Sequence, residues 1–251
     1  MIAAPLPDFA RLMAHEALGS TNDEAKRLAE DGADAWTVVT SKVQTAGRGR
    51  RRRGWSSPAG NLYMSVILRP TGPVATAAQL GFAAALAVGD AISPLLPRPD
   101  MLHFKWPNDV QVEGRKIAGI LLESAAANDG SALWLVIGIG VNVVSSPLQP
   151  TASATCLKAE GTGEATLPEL LRGVIVALKY WVEEWERTGF ERLRHAWLAR
   201  ARGLGGTVAV RLERESFTGR FVDLEADGAL LVETPAGRRR VAAGEVFPVA
   251  A

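Results

Sequence analysis

A long loop rich in glycine and arginine, set between two runs that favour β-strands, is the feature that most constrains the fold of this chain. Residues 36–42 and 62–68 are rich in Val, Ile, Tyr and Thr, which is typical of strands. Residues 44–60 between them, here called the arginine loop, contain four glycines and five arginines. The sequence therefore predicts two strands joined by a long and unusual loop.

The arginine loop is compatible with three functions when its composition is taken alone. Glycines let the backbone approach a ligand closely, and guanidinium groups hold carboxylates or phosphates in a bidentate way, so a small anionic ligand is the direct inference. The same composition fits a solvated basic loop, or a clamp on a nucleic-acid backbone. The overall charge does not decide among these three functions, because 28 basic residues are balanced by 27 acidic ones, leaving a formal net charge of +1.

The composition of the 251-residue chain, with 47% hydrophobic and 22% charged residues, is that of a globular protein. A single cysteine, Cys156, excludes an internal disulfide. The apolar stretch 74–92 is interrupted by Gly81, Gly89 and Asp90, so it predicts a packed helix rather than a membrane span. The N-terminus has no signal-peptide pattern. We therefore expect a cytoplasmic protein with no membrane contact.

Periodicity predicts a mixed α/β region over the first 200 residues. Helices are predicted over 22–30, 73–92 and 167–185, and strands over 36–42, 62–68, 101–105, 116–123 and 133–142. Two capping boxes, Thr21 with Glu24 and Thr166 with Glu169, are predicted to begin the first and last helices. Residues 143–166, rich in Ser, Thr, Pro, Gly and Ala, predict a long mobile connection.

Short β-like runs dominate the chain after residue 203. They cover 207–212, 217–224, 229–233 and 238–242, and are separated by Asp-Gly and Pro-Ala-Gly turns. The pattern predicts a small all-β domain of SH3-like size. The chain is thus expected to divide into residues 1–202 and 203–251.

A second group of polar residues lies at Lys105–Asp109 and continues into the basic, glycine-containing stretch 114–120. Asp109 and Lys116 lie side by side if the chain turns back between them, which would place a carboxylate next to an ammonium group. A hairpin with surface charges is the alternative.

The glycines of Gly138–Asn142 follow an apolar strand but lack the final glycine of a dinucleotide-binding fingerprint, which disfavours a Rossmann site. His15, His103 and His195 are far apart in sequence, so no metal site built from histidine and cysteine is predicted.

Taken together, these motifs resemble those of the biotin protein ligase family. The matching segments are Ser20 to Asn22, Gly47 to Arg50 with Trp55, Lys105–Asp109 with Lys116 and Gly119, and Gly138–Asn142, and they stand in the family's order and spacing. The resemblance spans residues 20–145, and the C-terminal β module is similar to the family's SH3-like barrel. It implies an α+β fold, in which a mixed-sheet, class II synthetase-like catalytic domain precedes that barrel.

The resemblance implies a two-step ligase reaction. Biotin and ATP form biotinyl-5′-AMP, and a lysine of a biotin carboxyl carrier domain, in acetyl-CoA carboxylase or a related carboxylase, then accepts the biotin. Mg²⁺ is implied as the companion of ATP, and a homodimer is possible in this family. Only 19 residues precede Ser20, too few for the helix-turn-helix domain of some members, so no sequence-specific DNA binding is expected.

The resemblance also assigns site residues by position. Arg48, Arg50 and Lys116 would neutralise charge on the transferred adenylyl group, and Asp109 would orient the incoming lysine. The biotin-binding set is Ser20, Thr21, Asn22, Gln44, Gly47, Arg48, Gly49, Arg50, Trp55, Lys116 and Gly119. The ATP-binding set is Arg50, Trp55, Asn108, Lys116 and Asn142.

Two other functions remain to be tested against this one. A lipoate or octanoate ligase or transferase resembles the family in fold, although Gln44, Trp55 and the Lys105–Asp109 motif favour biotin. A nucleic-acid-binding module would use the arginine loop together with the C-terminal barrel.

Overall fold

The computed structural model describes residues 5–147, 153–162 and 166–249. It contains a seven-stranded mixed sheet in the order β1-β2-β3-β7-β6-β5-β4, in which only β1 and β2 run parallel. The strands are β1 Arg11–Leu18, β2 Thr37–Gln44, β3 Leu62–Leu68, β4 Leu102–Lys105, β5 Asp109–Val112, β6 Arg115–Ala126 and β7 Ala132–Val141.

A second, five-stranded antiparallel sheet follows in the order β11-β10-β9-β8-β12. Its strands are β8 Thr207–Arg211, β9 Ser216–Leu224, β10 Leu230–Thr234, β11 Gly237–Val241 and β12 Glu245–Pro248. The α-helices among the described residues are α1 Thr21–Glu30, α2 Val74–Ala77, α3 Leu80–Ile92, α4 Leu167–Thr188 and α5 Phe190–Leu198. This arrangement is the α+β fold that the sequence predicts, with the all-β module at the C-terminal end.

The two faces of the large sheet are covered by different helices. Ile67 of β3 and Val136 of β7 pack with Ala25 and Ala29 of α1, whereas Val66 points to the opposite face, where α3 and α4 lie. Because both faces are covered, every residue of β3 is buried. The site described below lies on the α1 face.

The stretch Val74–Leu95 is, among the described residues, the one helical segment long and apolar enough to cross a membrane by composition. In its most apolar window of 18 residues, 67% of the window is buried inside the molecule, and α3 packs closely on α4. The prediction of a packed helix is thus confirmed. The predicted single helix is in fact two, because α2 ends at Ala77 and α3 begins at Leu80.

Three glycines of adjacent strands form a trough on the α1 face. Gly119 of β6 lies opposite Gly140 of β7, and Gly138 is two residues before Gly140 on the same face. A methyl group at Gly138 would overlap Asn22 Oδ1, and one at Gly140 would lie 2.8 Å from the Trp55 ring. The glycines are therefore required for Asn22 and Trp55 to pack against the sheet.

The second sheet is fixed to the first part of the chain through its 225–228 turn. Trp106 Nε1 donates a hydrogen bond to the Gly228 carbonyl at 3.0 Å, and Gln79 Nε2 donates to the Ala226 carbonyl at 2.9 Å. These contacts place the ends of β8 and β12 beside the trough.

The structure corrects several expectations about local structure. The Thr21–Glu24 capping box is absent, since Ser20 is the N-cap of α1 and makes no side-chain capping bond, whereas the box of Thr166 and Glu169 is confirmed. The sequence analysis missed β1, β5, α5 and β12.

The connection over residues 143–166 is held firmly where the structure describes it. Ser153 O accepts from Lys116 N at 2.9 Å, Thr155 N donates to Lys116 O at 2.9 Å, and Leu157 N donates to Asn142 O at 3.1 Å. Residues 153–162 are thus attached to β6 and to the end of β7 by backbone hydrogen bonds, and the mobility of the connection stays a prediction. Residues 148–152 and 163–165 lie outside the described residues.

Candidate active site

A cavity of about 760 Å³ lies over the glycine trough. The arginine loop, the β5–β6 hairpin, the connection after β7 and the edge of the second sheet form its walls. Every predicted site residue except Gly47 lines it. A cavity of this size is in the range that holds small ligands.

Gly47 is needed for the shape of the loop instead. Its carbonyl accepts a hydrogen bond from Trp55 N at 2.8 Å. A methyl group at Gly47 would lie 2.5 Å from Ser57 Oγ and 2.6 Å from the Trp55 carbonyl. Any larger residue would therefore force the two ends of the loop apart.

One end of the cavity is a prearranged hydrogen-bonding network. Gln44 Oε1 accepts from Thr21 N at 2.8 Å and from Thr21 Oγ1 at 3.1 Å, while Gln44 Nε2 donates to Ser57 Oγ at 2.9 Å. Ser65 Oγ donates to Asn22 Oδ1 at 2.6 Å. The pairing of Thr21 with Gln44 explains the missing capping box. Such a network suits a neutral polar ring that needs both donors and acceptors.

The β5–β6 hairpin brings Lys116 and Asp109 together, as the sequence predicts. Lys116 Nζ lies 2.6 Å from Asp109 Oδ1, and both side chains face the cavity. Lys116 Nζ also lies 5.1 Å from the centre of the Trp55 ring. The alternative of a hairpin with solvent-exposed surface charges is wrong, because the side chain of Lys116 is only 31% exposed and that of Asp109 only 17%.

The two predicted arginines of the loop differ in their environment. Arg50 Nη1 donates to Asn108 Oδ1 at 3.2 Å, and burial lowers the pKa of its guanidinium. Arg48, by contrast, is bound by the carboxylates of Asp23 and Glu123. Arg50 is thus a cation that faces the cavity without a carboxylate bound to it among the described residues.

Asn142 lies at the side of the cavity beside the connection. It is 2% exposed, and its Nδ2 donates to the Thr155 carbonyl at 3.0 Å. Its Oδ1 is buried and has no hydrogen-bond partner among the described residues. A buried acceptor without a donor is costly, so a ligand group that donates or a cation would stabilise it.

The second sheet adds residues that the sequence analysis missed. Arg211, Glu245 and Phe247 line the cavity, and Lys105 Nζ lies 4.3 Å from the centre of the Phe247 ring. Burial lowers the pKa of Lys105. No local motif could have joined Lys105 to residues more than 100 positions away in the chain.

The acidic residues around Arg48 predict a dependence of stability on pH. Hydrogen bonds from Arg48 hold the pKa of Asp23 below its usual 3.8, and for Glu123 burial raises the pKa, but hydrogen bonds from Asn22, Lys26 and Arg48 lower it below 4.5 overall. A carboxyl with a depressed pKa in the folded state stabilises that state above its unfolded pKa, and this stabilisation is lost as the pH falls.

We therefore expect the free energy of unfolding to decrease between about pH 5 and pH 3, and to do so less steeply in the Asp23→Asn/Glu123→Gln variant. Urea unfolding at both pH values measures this. Equal slopes for the two proteins would contradict the assignment.

Comparison with known proteins identifies the family. A model of the biotin/lipoate A/B protein ligase family matches residues 6–199, and a model of the biotin protein ligase C-terminal domain matches residues 203–247. A biotin–[acetyl-CoA-carboxylase] ligase of Paracoccus denitrificans is 41% identical over 234 residues, covering 91% of this chain and 96% of the relative. The chain belongs to the biotin protein ligase family.

Solved structures of biotin protein ligases share its fold. The ligase of Aquifex aeolicus in complex with biotin and ATP has a TM-score of 0.79 at 28% identity, covering 96% of this chain and 99% of that one. The ligase of Leishmania major in complex with biotinyl-5-AMP has a TM-score of 0.66 at 26% identity, covering 94% of this chain and 100% of that one. The match to a C-terminal domain named for biotin protein ligases favours biotin over lipoate or octanoate.

Proposed function

We propose that this protein is an ATP-dependent ligase that forms biotinyl-5′-AMP and transfers the biotin to a lysine of a carrier domain. The observation that carries this proposal is the content of one cavity. A hydrogen-bonding network around Gln44, an aromatic wall at Trp55 and the cations Lys116 and Arg50 meet over the glycine trough. Biotin presents a neutral ureido ring at one end and a carboxylate at the other, which fits this gradient from polar and neutral to cationic.

In the first step, a carboxylate oxygen of biotin attacks the α-phosphorus of ATP. The bond from that phosphorus to the bridging oxygen breaks, and pyrophosphate leaves with the bonding electrons. Negative charge grows on the phosphoryl oxygens, so nearby cations stabilise the transition state more than the ground state. Lys116 and Arg50 are the groups we assign to this role.

In the second step, the amine of the carrier lysine attacks the acyl carbon of the mixed anhydride. The bond from that carbon to the phosphate oxygen breaks, AMP leaves with the bonding electrons, and the nitrogen releases one proton to water. Asp109 lies at the cavity wall next to Lys116, where a carboxylate can orient an incoming ammonium group. We assign it that positioning role.

Magnesium is proposed as the companion of ATP, where it would neutralise the phosphates. Among the described residues no three His, Cys, Asp or Glu side chains are grouped as metal ligands. The unpartnered carboxamide oxygen of Asn142 is nevertheless the kind of hard ligand that Mg²⁺ accepts. The residues therefore fit an ion held mainly by the nucleotide, with Asn142 as a protein ligand.

The relative of Paracoccus denitrificans is a biotin–[acetyl-CoA-carboxylase] ligase, which supports the carrier domain of acetyl-CoA carboxylase as the partner. Four further expectations stay predictions. They are the domain division between residues 202 and 203, a cytoplasmic location without membrane contact, the absence of sequence-specific DNA binding, and a homodimer.

The transfer test uses the full chain with a biotin carboxyl carrier domain, biotin, ATP and Mg²⁺. We expect mass spectrometry to find one biotinyl group on one carrier lysine, and none when that lysine is replaced by arginine. Labelling by lipoate or octanoate in place of biotin would contradict the proposal, while loss of labelling with a chelator would support the role of the ion.

Arg50→Gly should weaken retention of the adenylate, because this guanidinium faces the cavity from the loop that covers it. We expect biotinylation of lysines on an unrelated protein, such as serum albumin, to rise by about tenfold as the anhydride escapes into water. Arg214→Gly, on an exposed turn of the second sheet, is the control. Unchanged stray labelling in Arg50→Gly would remove the residue from adenylate retention.

A further inference from the structure

Arg48 is the centre of an ion-pair network at the edge of the cavity. Its Nη2 lies 2.7 Å from Asp23 Oδ1 and 2.8 Å from Glu123 Oε2, and its Nη1 contacts the second oxygen of Asp23. Lys26 Nζ lies 3.0 Å from both Asp23 Oδ1 and Glu123 Oε1. Asn22 Nδ2 donates to Glu123 Oε2 at 2.8 Å.

The charges in this network balance. Two carboxylates face one guanidinium and one ammonium group, so no net positive charge is left for a phosphate. A ligand anion could bind the Nη groups of Arg48 only after their bonds to the two carboxylates are broken. The guanidinium group of Arg50 has no such cost, because its only hydrogen-bond partner among the described residues is the side-chain amide of Asn108.

The position of Arg48 in the loop gives the network a mechanical role. Arg48 and Gly54 form a β-bridge, Gly49 N donates to the Arg53 carbonyl at 2.7 Å, and Trp55 N donates to Gly47 O at 2.8 Å. These bonds close the neck of a small hairpin whose tip carries Arg50 and Arg51. Whatever holds Arg48 therefore sets where that tip and Trp55 lie.

We propose that Glu123 and Asp23 are positioning residues that anchor the arginine loop through Arg48, and that Arg48 acts as the tether while Arg50 contacts the ligand. Glu123 binds both Arg48 and Asn22. One carboxylate therefore fixes the position of the arginine loop and of the hydrogen-bonding network at the end of the cavity. The inference deepens the proposed function and rests on it. It also gives Arg48 a different role from the catalytic one implied by the family resemblance.

Three variants test the anchor: Arg48→Ala, the carboxamide pair Asp23→Asn/Glu123→Gln, and all three changes combined. If both carboxylates act through Arg48, the combined variant is no worse than Arg48→Ala. We expect each variant to raise the KM for biotin in pyrophosphate exchange about fivefold, the factor set by a partly exposed ion-pair network. If Arg48 itself binds the ligand anion, Arg48→Ala raises the KM for biotin far more than the carboxamide pair does, and the KM increases of the two variants multiply in the combined variant. That result would overturn the proposal.

A measurement without substrates separates this inference from the proposed function. Trypsin should cut the ligand-free protein after Arg50–Arg53 about fivefold faster in all three variants, because the tether no longer holds the loop closed. Glu233→Gln, which breaks an exposed pair with Arg220 in the second sheet, should leave the cleavage rate unchanged. Equal cleavage in wild type and variants would contradict the anchor even if biotin is activated, whereas faster cleavage without any biotin activation would refute only the function.

Discussion

Lys116→Ala is expected to reduce biotin-dependent pyrophosphate exchange by about 10²- to 10³-fold, the typical cost of removing one group that stabilises charge in a transition state. The ammonium group of Lys116 lies 2.6 Å from Asp109 Oδ1 and 5.1 Å from the centre of the Trp55 ring, and Lys116 lines the cavity. The substitution leaves Asp109 without its cation, so repulsion of the α-phosphate adds to the loss.

Pyrophosphate exchange is compared only for Lys116→Ala protein that is shown to be folded. Lys158→Ala, a lysine on the exposed side of the connection, is the matched control and should keep full exchange. A folded Lys116→Ala protein with exchange close to wild type would show that Lys116 does not serve adenylate formation.

Gly119→Val should remove most of the affinity for biotin without unfolding the protein. A Cβ at Gly119 would lie 2.9 Å from Trp55 Cζ3 and 3.2 Å from Lys116 Cε, so the new side chain fills the trough and displaces the ring. Inserting extra side-chain atoms into a packed space typically costs 1–3 kcal/mol, and the middle of that range corresponds to a rise of about thirtyfold in the Kd for biotin. The strand itself tolerates valine well.

Titration calorimetry with biotin measures the effect. Gly81→Ala is the control, because a Cβ there would sit 3.4 Å from Leu122 Cδ1, an ordinary contact, on a helix away from the trough. An unchanged Kd in Gly119→Val would remove that residue from the biotin site.

The elements that the sequence predicts well are those with strong local signals. The periodic apolar residues and capping box of α4 specify a helix, and the apolar runs of β3 and β7 specify strands that are buried on both faces. Strand β1 was not predicted, because it lies at the edge of the large sheet and its residues are mostly exposed, so its apolar residues do not alternate regularly with polar ones. Strands β5 and β12 have only four residues each, too few for a period to show.

In the candidate site too, contacts between residues close in sequence could be predicted, whereas contacts between distant residues could not. The neighbouring positions of Asp109 and Lys116 follow from a hairpin, which sequence reasoning handles. The carboxylate of Glu123 approaches Arg48 from a position 75 residues away, and Phe247 reaches Lys105 across the two sheets. Those contacts depend on tertiary packing, so the ion pairs that neutralise Arg48 could not be read from its arginine-rich neighbourhood.

The most direct test of the central claim is exchange of radiolabelled pyrophosphate into ATP by the purified chain, with biotin, lipoate and octanoate as parallel substrates. This reaction isolates adenylate formation from any carrier. We expect exchange with biotin and none with lipoate or octanoate. Exchange with lipoate or octanoate but not with biotin, or no exchange with any acid by folded protein, would contradict it.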